Sequence, residues 1–210
     1  MKHKELCQFC LDAVKSIGKF RKTPLNNTWA LENSVRYHFL QIGFDEVLIL
    51  WLEDKVIVAI DGSDRDLEEW LNNVDAYPLI DGCHNGFRYV SMRIKRAVDY
   101  MLLNCDLPRV NVGISRGGAI ADIITAYSEN PNDLAISAGA PRHWSFLRTK
   151  SLKHEHIRIA SFWDGVPRLP SCLLAPFWTH YQTTRVRIKK IIFGKFSHTH
   201  YPELFRRYVK

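Results

Sequence analysis

The sequence predicts an α/β fold built on a largely parallel sheet. Two observations carry that prediction. From residue 46 to residue 161 the pattern runs strand, strand, helix, strand, helix, strand, strand, the alternation that produces parallel strands with helices on the sheet faces. Within it, a β-branched run, Val110-Asn-Val-Gly-Ile114, passes through Ser115-Arg-Gly-Gly118 into a run of small and apolar residues, Ala119–Ala126, a strand, tight turn and helix in direct succession.

The elements follow in order. Leu6, Phe9, Cys10, Ala13, Val14 and Ile17 recur at helical spacing over residues 5–18, and residues 31–41 read as a second helix. Val47–Trp51 and Val56–Ile60 flank the charged turn Glu53-Asp54-Lys55 and form a hairpin. Residues 87–104 form a long amphipathic helix. Its apolar face includes Phe87, Val90, Ile94, Val98 and Met101, and Arg93, Lys95 and Arg96 mark the wet side. Leu134–Ser137 and Ile157–Ser161 are further strands, 186–192 is strand-like, and 202–209 reads as a C-terminal helix.

The chain has 210 residues, is 46% apolar and 12% aromatic, and matches one globular domain rather than a disordered chain. The organisation expected is a helical N-terminal extension, 1–44, on a core spanning 45–210. No apolar run reaches the roughly 20 residues of a membrane-spanning helix, and the N-terminus has no secretory pattern, so a cytoplasmic location is expected. Five cysteines without a leader read as free thiols. Cys7-x-x-Cys10 lacks a second pair for zinc and is expected to be two thiols on a helix.

Gly113-Ile-Ser-Arg-Gly117 is a G-x-S-x-G string, weak by itself and strengthened by the strand before it and the helix after it. In that setting a serine occupies a sharp turn with its hydroxyl out of the sheet edge, and the helix start offers backbone N–H groups to a developing oxyanion. A nucleophilic serine needs a histidine base and an orienting acid. Asp122, Glu129, Asp133, Glu155, Asp164 and Glu203 are the acids downstream. Asp164 closely follows the strand Ile157–Ser161, where such folds carry their acid. His180, His198 and His200 are the candidate bases; His198-x-His200 also has the spacing of a metal pair, with His180 or Asp164 available as a third ligand.

Six segments in order then resemble the class 3 lipases, the fungal triacylglycerol lipase type of α/β-hydrolase. They are Val56–Ala59 leading to Asp61-Gly-Ser63, Glu69-Trp-Leu-x-Asn73, His84-x-Gly-Phe87, the serine turn through Ala119, Gly139-Ala-Pro-Arg142, and Asp164-Gly-Val-Pro-Arg-Leu-Pro170. The resemblance covers residue 45 to the C-terminus. It implies an α/β-hydrolase fold, with a mostly parallel central sheet and helices on both faces. It also implies Ser115 as nucleophile, Asp164 as acid, and an oxyanion hole from Ser63 and the Arg116 backbone N–H. The resemblance places the base at His200 or His198, with His200 preferred because family members often carry an aromatic five positions past the base and Phe205 stands there; His180 resembles a family histidine that is not the base. No cofactor and no metal is implied.

The sequence departs from the family pattern at Asp61, Ile114 and Arg116. Arg116 sets a cation beside the nucleophile, either to attract an anionic group or as a solvated residue at the helix start. Residues 64–73 occupy the lid position. The function expected is a serine carboxylic-ester hydrolase acting on lipid or other acyl esters. A phospholipase on anionic membranes, and an inactive hydrolase-like binding module, are the rivals.

The formal net charge is +7, and the last 30 residues hold eight basic residues and one acid, so all of the excess lies there. That local placement favours peripheral contact with an anionic membrane surface or substrate over nucleic acid. Nothing in the sequence specifies an oligomeric state.

Overall fold

The computed structural model describes residues 3–20, 28–43, 45–62, 81–161, 178–179, 181 and 184–188. In chain order its elements are α1 (His3–Phe20), α2 (Thr28–Asn33), β1 (Arg36–Ile42), β2 (Asp45–Trp51), β3 (Val56–Ile60), α3 (Asn85–Met101), β4 (Arg109–Ile114), α4 (Arg116–Ala126), β5 (Leu134–Ala138), β6 (Trp144–Ser145), α5 (Phe146–Thr149), β7 (Glu155–Ser161), β8 (Trp178–Thr179) and β9 (Thr184–Ile188).

Seven strands form one sheet in the order β1-β2-β3-β4-β5-β7-β9. The β1–β2 and β2–β3 pairs are antiparallel, and every pair from β3 onward is parallel. The hairpin expected from the two β-rich runs is β2–β3. A two-stranded antiparallel sheet, β6–β8, lies apart from it.

The central strands are apolar on both faces, as a doubly covered sheet requires. Leu48, Leu50, Ile57, Ala59, Val110 and Val112 pack with Leu11, Val14 and Ile17 of α1. Val47, Ile49, Val56, Val58 and Ile60 point the other way, against Ile94 and Val98 of α3 and Ile120 and Ile124 of α4. Alternation along each strand therefore sorts the two cores. Within the second layer Asn111 Nδ2 of β4 donates to Thr125 Oγ1 of α4 at 2.9 Å, a buried polar tie between strand and helix.

The second helix expected over 31–41 is corrected. Helix α2 ends at Asn33, and residues 36–42 are the edge strand β1, in register with β2 from Arg36↔Trp51 to Ile42↔Asp45. The tract Arg-Tyr-His-Phe-Leu-Gln-Ile has enough apolar residues to fit either period, and the free edge of β2 offers its backbone a ladder. The segment before residue 45 thus contributes a strand to the sheet as well as helix.

Candidate active site

Strands β3, β4 and β5 end level with one another. Ile60 pairs with Gly113, and Ile114 pairs with Ala138. Ser115 stands one residue beyond this edge, half-buried, between β4 and α4. Its backbone has φ 54° and ψ −125°, and it is the one non-glycine residue with positive φ among the described residues. A side chain there costs about 1–3 kcal/mol of strain, which the surrounding contacts must hold in place. One such contact is the Ser115 N–H, which donates to the Ala138 carbonyl at 2.8 Å.

The glycines of the turn are required by close approach. A Cβ on Gly113 would lie 2.2 Å from the carbonyl carbon and oxygen of Gly117. A Cβ on Gly117 would lie 2.5 Å from the Ile60 carbonyl oxygen. Strand, turn and helix can therefore fold back on one another only because both positions lack a side chain. Gly62 is also packed against the turn: its Cβ position is 2.5 Å from the Ile114 carbonyl oxygen and 3.4 Å from Ser115 Cβ.

Arg116 opens helix α4, so its backbone lies beside Ser115. Its side chain is ion-paired. Nη1 is 2.9 Å from Asp45 Oδ1 and Nη2 is 3.2 Å from Asp45 Oδ2, with the arginine side chain 18% exposed and the aspartate 6%. The cation neutralises a buried carboxylate at the start of β2. Burial pushes the Asp45 carboxyl up, and the guanidinium of Arg116 opposes that push.

Of the remaining expected site residues, Ser63, Asp164, His180, His198 and His200 lie outside the described residues, as do 64–73. The described segments that flank them are Asp61–Gly62, directly against the serine turn, and β7, whose last residue is Ser161.

A polar cluster escaped the sequence reading. Asp122, on the buried side of α4 and fully enclosed, faces three imidazoles. His143 Nε2 lies 2.6 Å from its Oδ2, His154 Nε2 lies 2.6 Å from Oδ1, and His156 Nδ1 is 3.2 Å from Oδ1. Trp144 Nε1 donates to Oδ2 at 2.8 Å. Burial alone would raise the Asp122 carboxyl, but the imidazoles around it outweigh burial and hold it well below the usual range. Burial lowers His156 to about 4, against the attraction of Asp122.

His156 Nε2 is also 2.7 Å from Ser137 Oγ, so Ser137, His156 and Asp122 lie in a Ser–His–Asp series whose His–Asp link is a 3.2 Å ion-pair contact. All three are 0% exposed, and no substrate can reach them. The signal that could have revealed the cluster is His154-x-His156, whose alternate spacing puts both rings on one side of an extended segment.

No family model and no curated protein sequence matches the chain. Solved structures do. A lipase from Rhizopus microsporus var. chinensis is similar over 90% of this chain and 75% of its own, at 18% identity and a TM-score of 0.69. The chain has a class 3 lipase-like fold. The Rhizomucor miehei triacylglyceride lipase is similar over 89% of this chain and 80% of its own, at 15% identity and TM-score 0.68. Lipase II from Rhizopus niveus gives 89%, 80%, 16% and 0.65. At these identities the likeness establishes the α/β-hydrolase architecture. In this lipase-like fold the Ser115 turn joins β4 to α4, and the helices α1 and α3 cover opposite sheet faces.

Proposed function

We propose that the protein is a serine carboxylic-ester hydrolase of lipase type, acting on lipid or other acyl esters. The observation that carries this reading is Ser115. A serine is held at φ 54°, between a buried strand and a helix start, by glycines whose replacement would collide with backbone. A conformation that unfavourable is kept where the position of the hydroxyl matters.

In this reading His200 accepts the Ser115 Oγ proton as the oxygen attacks the ester carbonyl carbon. The C–O π pair moves onto the carbonyl oxygen, and backbone N–H groups at Ser63 and Arg116 stabilise that oxyanion. Collapse of the tetrahedral species breaks the ester C–O bond, and His200 returns the proton to the leaving alkoxide. Water, deprotonated by the same base, then hydrolyses the acyl-enzyme. Asp164 holds the imidazole in the required tautomer and stabilises its charged form. His198 is the alternative base.

The test is labelling with a fluorophosphonate followed by peptide mapping. Label on Ser115, absent in Ser115→Ala, together with turnover of p-nitrophenyl esters of graded chain length, supports the reading. A wild-type chain that takes no label and turns over no ester refutes it. Running the ester panel with and without anionic vesicles separates a preference for membrane-borne esters from one for dissolved esters.

A further inference from the structure

We propose that Asp122, His154 and His156 bind a divalent transition-metal ion, Zn2+ by the chemistry of the donors, which pins the helix behind Ser115 to strand β7. One carboxylate and two imidazoles make a borderline N/O donor set. That set suits zinc and its neighbours, whereas Ca2+ and Mg2+ take mainly oxygen ligands.

The three donor atoms lie within 4.8 Å of one another. Zinc bonds of 2.0–2.2 Å in tetrahedral array place ligand atoms roughly 3.4 Å apart. His156 Nδ1 to Asp122 Oδ1 is already 3.2 Å, and His154 Nε2 to the same oxygen, at 2.6 Å, needs to open by less than about 1 Å. The three protein ligands fill three of the four tetrahedral positions.

The surroundings have the outer bonds that orient metal ligands. His156 places its other nitrogen 2.7 Å from Ser137 Oγ. Asp122 Oδ2 accepts from Trp144 Nε1 at 2.8 Å and meets His143 Nε2 at 2.6 Å, and His143 Nδ1 rests 2.9 Å from the Pro141 carbonyl. The His154 and His156 rings lie nearly parallel, 6.2 Å apart at 20°, and the Tyr181 hydroxyl donates to the His154 carbonyl at 2.8 Å.

The site is closed. Asp122 is fully enclosed, and the His154 and His156 side chains are 8% and 1% exposed. Its role is therefore structural and separate from ester cleavage, and its test uses no ester.

The full chain, stripped with a chelator and dialysed, is titrated with Zn2+ against a chromophoric competitor and with Co2+ by visible absorption. About one equivalent of Zn2+, the d–d bands of four-coordinate Co2+, and a Tm at least about 5 °C higher with Zn2+ are expected. His154→Ala and His156→Ala each weaken binding at least about 100-fold, whereas His198→Ala/His200→Ala, removing the other His-x-His pair, leaves it unchanged. The unmodified chain carries the decision where a variant fails to fold. Uptake below about 0.1 equivalent with no Tm response, or binding that is lost with His198 and His200, overturns the proposal.

Discussion

Arg116 Nη1 lies 2.9 Å from Asp45 Oδ1, so the residue that follows the proposed nucleophile is tied by its side chain to the start of β2, 71 positions earlier in the chain. The pair bridges the sheet edge at which Ser115 stands. Removing one member of a buried pair leaves the other charge uncompensated, at about 3–5 kcal/mol. Arg116→Leu is therefore expected to destabilise the protein by about 3 kcal/mol in urea unfolding. Asp45→Asn/Arg116→Leu should recover much of that loss, because no charge is stranded. Equal losses in the single and double variants would show that packing, and not the stranded carboxylate, dominates.

The strain at Ser115 makes a second prediction. Ser115→Gly relieves the φ of 54°, whereas Ser115→Ala keeps it. The glycine variant is expected to be about 1 kcal/mol more stable than the alanine variant. Both should lose ester turnover by about 10⁴-fold or more, as removal of a nucleophile does. Denaturant midpoints and kcat on one ester check both statements.

Close packing in the turn makes a third. Gly113→Ala sets its Cβ 2.2 Å from the Gly117 carbonyl, and both atoms belong to backbone that cannot swing aside. A loss of about 3 kcal/mol is expected, with loss of fluorophosphonate labelling. Gly43→Ala is the contrast: its Cβ meets nothing within 4 Å, and only its φ of +68° opposes the change.

The thiols divide by burial. Burial pushes Cys7 up to about 11 and Cys10 well above its ordinary value, and both sit in the α1 core. Neither carries appreciable thiolate at neutral pH. Among the described cysteines Cys105, half-buried, is expected to react first with a disulfide reagent, while Cys7, Cys10 and Cys83 wait for unfolding. A fast reaction at Cys7 in the native protein, mapped by mass spectrometry, would contradict this.

Asp99 gives the pH dependence its sign. Burial raises its carboxyl, but hydrogen bonds from Lys95, at 2.6 Å, and from Arg109 outweigh burial and hold it below the usual carboxylate range. A folded value below the unfolded one stabilises the fold above the unfolded value, near pH 4, and that stability is lost as pH falls through the lower folded value. Asp99→Asn should be less stable than wild type at pH 7, with the gap closing below about pH 4. A gap that persists at pH 2 would assign the loss to packing.

Local sequence determined much of this. Two continuous β-rich apolar runs, 47–51 and 56–60, around the charged turn Glu53-Asp54-Lys55 produced the hairpin, and Gly-x-Ser-x-Gly between a β-branched run and a small-residue run produced the turn at Ser115, because steric limits on those backbones act within a few residues. Tertiary structure decided the rest. Residues 36–42 became a strand because β2 presented an open edge. Arg116 paired with Asp45. Asp122, one of six downstream acids in the sequence, became the centre of a closed cluster because the loop before β6 supplies His143, the residue before β7 supplies His154 and β7 itself supplies His156 to one carboxylate. Periodicity reports which face of an element is buried; it does not report which distant polar group shares that burial, since that depends on strand order and register, and the cost of an unpaired buried charge is met only once the layers close.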